Sequence, residues 1–228
     1  MIYDNLKIFF QNVHKNILIV NTILETHSHF DIILIQEPPW SIICSILSST
    51  SSKEEVLVGA PHHLNWLSFA RLPATQLDFP RVLAYINICL SSFCFFPCRD
   101  IINHRDILLI SFFSNNVCFF IVNIYSDTSH STLKYLKNTK VNINNLLIMI
   151  GNFNIRDWLW DPSFPYHASI SDDLFIIADL FNLDLSIPTN LVPTMYSDTM
   201  GKSDSVIDLM FLYSDSRKLN NHMIHPEW

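Results

Sequence analysis

The stretch from Leu146 to Pro162, LLIMIGNFNIRDWLWDP, constrains the chain more than any other. Leu146 to Ile150 are all apolar, with no polar side for water, so the run reads as a strand covered on both faces. A chain that contains such a strand must build a layer against each face of its sheet. Gly151 is expected to let the chain turn sharply where the strand ends. Asn152 and Asn154 follow, with Phe153 between them. In an extended segment both amides face one side while the ring enters the core, which is how polar chemistry is presented at a strand end. Read more plainly, the same residues are a strand closed by an Asn-containing turn. The rest of the chain decides between the two.

At 228 residues the chain is read as one domain, and 49% hydrophobic against 15% charged residues suits strands buried on both faces. No apolar run reaches the roughly 18 residues of a membrane span, and the N-terminus lacks a signal-peptide design, so no membrane association and an intracellular location are expected. The five cysteines include Cys94 and Cys98, but no second pair or His grouping completes a zinc site, and buried free thiols are expected. The net charge of −7 argues against a broad phosphate-binding face, so a nucleic-acid substrate would need a local patch. Three glycines leave no room for a Gly-rich phosphate loop.

Along the chain, Leu6–Val13 reads as a strand carrying Asn12. Asn16 caps a helix to His27 with Ile17, Val20, Ile23 and Leu24 on one face, and Asp31–Gln36 is a strand with Glu37 at its end before Pro38 and Pro39. A strand, a helix and a strand that ends in a carboxylate form an α/β unit with its ligand-binding side at the carboxyl end. Ser41–Glu55 reads as a loop, with a short helix available at Ile42–Leu47. Val56–Val58, Leu67–Arg71, Arg81–Leu90, Ile107–Phe113 and Val117–Tyr125 are successive strands without long helices between them, hence antiparallel neighbours, and Asn115 and Asn116 suit a hairpin turn. Ser129–Asn145 is read as a helix, and Asp172–Asn182 as another, capped by Ser171. Leu183–Ile187 and Ser205–Leu212 are the last strands, and Asp208 is placed inside the latter, where a carboxylate needs a partner.

Taken in order, QN at 11–12, IQEPPW at 35–40, RVLAYI at 81–86, VNIYSD at 122–127, IGNFN at 150–154, LWDP at 159–162 and SVIDLMF at 205–211 resemble the endonuclease/exonuclease/phosphatase superfamily. More closely, the set is similar to the endonuclease domain of non-LTR (LINE-type) retrotransposons, especially those of fungi. The resemblance implies an α/β (α+β) fold: a four-layered sandwich of two mainly antiparallel sheets flanked by helices. It also implies Mg²⁺-dependent phosphodiester hydrolysis, with Mn²⁺ as an alternative ion, DNA as substrate, a reverse transcriptase domain in the parent element, and a nuclear location.

Carried over by motif, Glu37 is the metal ligand, helped by Asn12. Tyr125 hydrogen-bonds the scissile phosphate, with Asn123 beside it on the substrate side, and Asn154 supports the developing negative charge. Position 152 is where the family carries the Asp that activates water, and Asp208 matches the carboxylate that orients a catalytic His. These are hard oxygens for a hard cation and donors aimed at a phosphate gaining charge. Two departures stand out. Asn152 replaces the family's Asp, and an amide positions water but takes up no proton. The family's Ser-Asp-His segment and last strand do not appear before Trp228, and neither His222 nor His225 has the spacing to replace that His, so a C-terminally truncated domain with impaired activity is expected. The competing readings are an inactive domain of the same fold kept for binding nucleic acid or protein, and a phosphatase of the same superfamily.

Overall fold

The computed structural model describes residues 6–39, 44–47, 56–60, 63–70, 79–90, 94–114, 117–139, 141, 143–186, 193–195 and 204–214. The chain falls into two compact units, Met1–Tyr125 and Ser126–Trp228.

The first unit holds β1 (Ile8–Asn12), α1 (Ile17–Thr26), β2 (Ile32–Gln36), β3 (Cys44–Leu47), β4 (Val56–Gly59), β5 (Trp66–Ala70), β6 (Val82–Asn87), β7 (Cys94–Pro97), β8 (Ile107–Ser114) and β9 (Val117–Tyr125). One sheet has the order β1-β2-β6-β5, with β1 and β2 parallel and the other pairs antiparallel. Helix α1 makes the parallel connection. Asn16 caps it as expected, accepting from the Leu18 and Ile19 backbone N–H groups. Its buried Val20, Ile23 and Leu24 pack with Ile33, Ile35, Leu83 and Tyr85 on one face of that sheet. The Trp66 indole N–H donates to the Leu24 carbonyl at 3.0 Å and ties β5 to the helix.

Residues at alternate positions point through to the other face. There β9 packs across β2 and β6, and β7-β8-β9 form an antiparallel run. Every residue of β2 and β6 is buried, as two covered faces require. At the centre lies Asn123, fully buried. Its Oδ1 accepts from the Gln36 side-chain amide at 2.6 Å, and its Nδ2 donates to the carbonyls of Ile35 and Leu83, both at 3.1 Å.

The second unit holds α2 (Ser131–Thr139), β10 (Leu146–Asn152), α3 (Ser169–Leu180), β11 (Leu183–Ser186) and β12 (Asp208–Tyr213). β12 lies antiparallel between β10 and β11. Phe211 of β12 meets the rings of Phe153 and Phe175, and α3 buries Leu174, Ile177 and Ala178.

Several elements differ from the reading of the sequence. Cys44–Leu47 is a strand paired with β4, not a helix, and β7 was not foreseen. Helix α2 is shorter than the periodicity suggested, ending at Thr139. Helix α3 begins at Ser169 rather than at Asp172, so Ser171 lies inside the first turn and is no cap. No side chain caps it; the Asp157 carboxylate accepts instead from the N–H of the N-cap residue Ala168 at 2.9 Å. Strand β10 runs through Gly151, which pairs with Leu209 at φ 155°, so the chain does not turn there. Cys89, Cys94, Cys98 and Cys118 are free, but the first two are exposed and the others half-buried, so these four are not core thiols. Asn115 and Asn116 lie outside the described residues, between Ser114 and Val117, which pair.

Removing the Asn123 amide leaves the Gln36 amide without its acceptor in a dry interface. Burying such an orphan costs about 1–3 kcal/mol, so Asn123→Leu is expected to lower unfolding free energy by about 2–4 kcal/mol in urea titrations. A change below about 1 kcal/mol would contradict a central role for this amide.

Candidate functional site

In the first unit the polar strand ends gather around Glu37. This residue follows β2 with φ 47°, a left-handed backbone that is unfavourable for a Glu and more so before a proline. Two main-chain hydrogen bonds hold it there. Its N–H donates to the Arg81 carbonyl at 2.8 Å, and its carbonyl accepts from Lys15 N–H at 2.8 Å. His14 and Lys15 are themselves left-handed, at φ 45° and 62°, so the chain leaving β1 curls back over Glu37. Strain of this kind is of order 1–3 kcal/mol per residue and persists only where the surroundings enforce it.

The Glu37 carboxylate accepts from Asn12 Nδ2 at 3.1 Å and lies 3.4 Å from His14 Nδ1. Asn12 is itself oriented, since its Oδ1 accepts the His14 N–H at 3.0 Å. The Tyr125 hydroxyl is a third donor to Glu37. The His14 hydrogen bond pulls the Glu37 pKa down most. Burial pushes it up, and the bonds from Asn12 and Tyr125 with the His14 charge complete a net fall from 4.5 to about 2. Glu37 is therefore an anion throughout the physiological range.

Behind this carboxylate stands a second layer. The Arg81 guanidinium makes a bidentate pair with the buried Asp106 carboxylate and lies over the Tyr125 ring, 4.6 Å from its centroid. The Asp106 carbonyl accepts the Tyr125 N–H at 2.9 Å, and Arg105 and His104 flank the same carboxylate at 3.6 and 3.9 Å.

In the second unit Asn152 ends β10 opposite Asp208 of β12, so the two side chains share one face of the pair. Asn152 is almost completely buried, and its Oδ1 has no hydrogen-bond partner among the described residues. Its carbonyl accepts the Ser126 N–H at 2.8 Å, while the Ser126 carbonyl accepts from Asn154 Nδ2 at 2.7 Å. Thr194 Oγ1 caps the start of β12, accepting from Ile207 and Asp208 N–H at 3.0 and 3.1 Å.

Asn12, Glu37 and Tyr125 are thus brought together in one unit, and Asn152, Asn154 and Asp208 lie close in the other. Three expectations change. Asn123, expected on the substrate side, has both amide atoms bonded to β2 and β6 and no exposed surface, so it holds the sheets together instead. Asp208 is the first residue of β12 and half-buried, not inside the strand. Asn154 is left-handed at φ 53°, so the alternation that would aim it alongside Asn152 stops at Phe153. His14, Arg81, Asp106 and Ser126 were not foreseen. Arg81 and Ser126 lie inside the motifs RVLAYI and VNIYSD and His14 lies two residues past QN, but Asp106 joins them only through the fold.

Magnesium, implied by the family resemblance, can be tested against these donors. Among the described residues no group of three His, Cys, Asp or Glu side chains converges. Glu37 nevertheless offers a hard carboxylate oxygen that stays ionised down to about pH 2, with the Asn12 amide beside it. One carboxylate among neutral oxygens suits an ion that keeps most of its water shell, so the residues fit.

The motifs and the strand order agree on one class: the chain has the endonuclease/exonuclease/phosphatase fold, with mainly antiparallel sheets and flanking helices. Among solved structures it is similar to the endonuclease domain of TRAS1, a telomere-specific non-LTR retrotransposon, with a TM-score of 0.65 at 15% identity over 92% of this chain and 86% of that one. It is also similar to a humanized D. rerio TDP2, with a TM-score of 0.51, 10% identity and coverage of 92% and 84%. For D. rerio TDP2 complexed with single-strand DNA product, the TM-score is 0.50 at 13% identity, covering 91% and 83%. No protein-family model matches the chain, and no curated protein matches it.

A depressed carboxylate pKa ties stability to pH. The contribution of Glu37 is complete above its unfolded value of 4.5 and is lost as pH falls towards about 2. Between pH 6 and pH 3 this amounts to about 1–2 kcal/mol, after screening at the exposed His14 imidazole. Glu37→Gln should flatten the denaturant-derived stability profile by that amount. Equal slopes for the two proteins would contradict the network.

Proposed function

We propose that the chain is an endonuclease-type phosphodiesterase acting on DNA, with a weakened chemical step. The observation that carries this reading is the Glu37 carboxylate, kept ionised by Asn12, His14 and Tyr125 on a backbone the fold must force. Glu37, with Asn12, would hold Mg²⁺ or Mn²⁺, which when bound supplies positive charge to a phosphate. Tyr125 would turn its hydroxyl hydrogen bond from Glu37 to a phosphoryl oxygen, and Asn154 would offer the amide N–H not given to the Ser126 carbonyl to charge that grows during attack. Asn152 can orient a water through its Oδ1, which has no partner among the described residues, but that oxygen belongs to an amide and takes up no proton. Removing a general base commonly slows a reaction by about 10²–10⁴.

The resemblance to retrotransposon endonucleases supports DNA as substrate, a reverse transcriptase domain in the same element, and a nuclear place of action. No helix among the described residues is long and apolar enough to cross a membrane. Asn152 also supports a second reading, an inactive domain that keeps only its affinity for nucleic acid.

Nicking of supercoiled plasmid in Mg²⁺ separates the two. The unmodified chain should nick at least about 10² more slowly than the TRAS1 endonuclease domain assayed beside it. The residual activity should vanish with EDTA and with Glu37→Ala. Nicking that survives Glu37→Ala would contradict the assignment, and binding without any nicking would favour the second reading.

A further inference from the structure

Arg81 touches both halves of the Glu37 cluster without being one of its donors. Its backbone carbonyl accepts the Glu37 N–H, and its guanidinium covers the ring of Tyr125, whose hydroxyl reaches the same Glu37. Asp106 repeats the pattern one layer further back. Its carbonyl accepts the Tyr125 N–H, and its carboxylate grips Arg81 through Nε and Nη2. Arg81 is further fixed by donating its N–H to the Arg105 carbonyl at 2.8 Å, and Asp106 by donating its N–H to His104 Nδ1 at 3.2 Å.

A buried ion pair is a poor device for stability, since desolvation of two charges offsets most of their attraction. Packed hydrocarbon would hold this corner equally well. What hydrocarbon does not provide is a flat, rigid cation with two edges in fixed geometry. Bidentate bonding to Asp106 sets the plane of the guanidinium, whose central carbon lies over the Tyr125 ring, 4.6 Å from its centroid. A Lys at position 81 keeps the charge but has neither the fork nor the plane.

We propose that the Arg81–Asp106 pair is the positioning device of this site. The guanidinium clamps the Tyr125 ring so that the hydroxyl stays on Glu37, and the Arg81 carbonyl holds the Glu37 backbone in its left-handed conformation. Both residues act through others and contact no reacting atom. The role rests on the proposed function of Glu37 and Tyr125, but the clamp itself is physical and is measurable without any reaction.

The test uses the full chain with its seven tyrosines replaced by 3-fluorotyrosine, and the Tyr125 resonance assigned with Tyr125→Phe. In Arg81→Lys, and separately in Asp106→Asn, the Tyr125 ¹⁹F signal should shift and narrow as the ring gains motion. The signals of Tyr85 and Tyr166, and the far-ultraviolet circular dichroism, should stay put. A Tyr125 signal unmoved in folded Arg81→Lys protein overturns the proposal. So does a change spread over all the tyrosines, which would mark the pair as general scaffold. Arg81→Lys keeps both charge and stem, so it decides the matter even where Asp106→Asn does not fold. A separate arm adds a duplex DNA oligonucleotide to the unmodified protein. A silent Tyr125 signal there defeats the proposed substrate and leaves the clamp to the first arm.

Discussion

The geometry around Glu37 depends on one buried amide. Asn123 stands where two sheets of the first unit face each other, and it takes a hydrogen bond from Gln36 while giving two to the carbonyls of Ile35 and Leu83. An amide with fixed donors and acceptors in a dry interface accepts one register, because any slide of β9 would strand its N–H groups in hydrocarbon. The consequence appears one step along each strand. Gln36 is followed by Glu37, and Tyr125 lies two residues beyond Asn123 on the same face of β9. Registering the sheets at Asn123 therefore delivers the Tyr125 hydroxyl to the Glu37 carboxylate.

Glu37 also carries strain that nothing local would choose. The left-handed backbone at His14, Lys15 and Glu37 is stabilised by hydrogen bonds from residues distant in sequence, Arg81 above all. Such strain at a strand end that presents an ionised carboxylate is the pattern expected of a functional site rather than of a surface turn. Asn152 is its counterpart in the second unit. Its Oδ1 is buried and has no partner among the described residues.

Much of this architecture was legible in the sequence because the signals were local. The apolar runs announced β2, β6, β8, β9 and β10 as strands, the last of them covered on two sides, Asn16 announced the start of α1, and Pro38 marked the end of β2. The motif order led to the fold, and to Asn12, Glu37 and Tyr125 as neighbours. The misses were long-range. Helix α3 starts at Ser169 without a side-chain cap, and Asp157 holds the Ala168 N–H from 11 residues upstream, so Ser171 looked like the cap only because it was nearest. Asp106 pairs with Arg81 across 25 positions, a partnership that no spacing rule suggests. Asn123 looked like a substrate contact because its motif neighbour Tyr125 points toward the site. Only the opposing sheet shows that its amide is already committed.

The central claim is that the strand end bearing Glu37 belongs to the rigid core rather than to a fraying loop. Amide hydrogen exchange measures this residue by residue. The N–H groups of Glu37, Tyr125 and Lys15, bonded to the carbonyls of Arg81, Asp106 and Glu37, should exchange through the same opening as Ile33 and Ile35, with equal free energy and equal sensitivity to denaturant. Exchange of Glu37 and Tyr125 through small, denaturant-insensitive local fluctuations, while Ile33 and Ile35 stay protected, would contradict it.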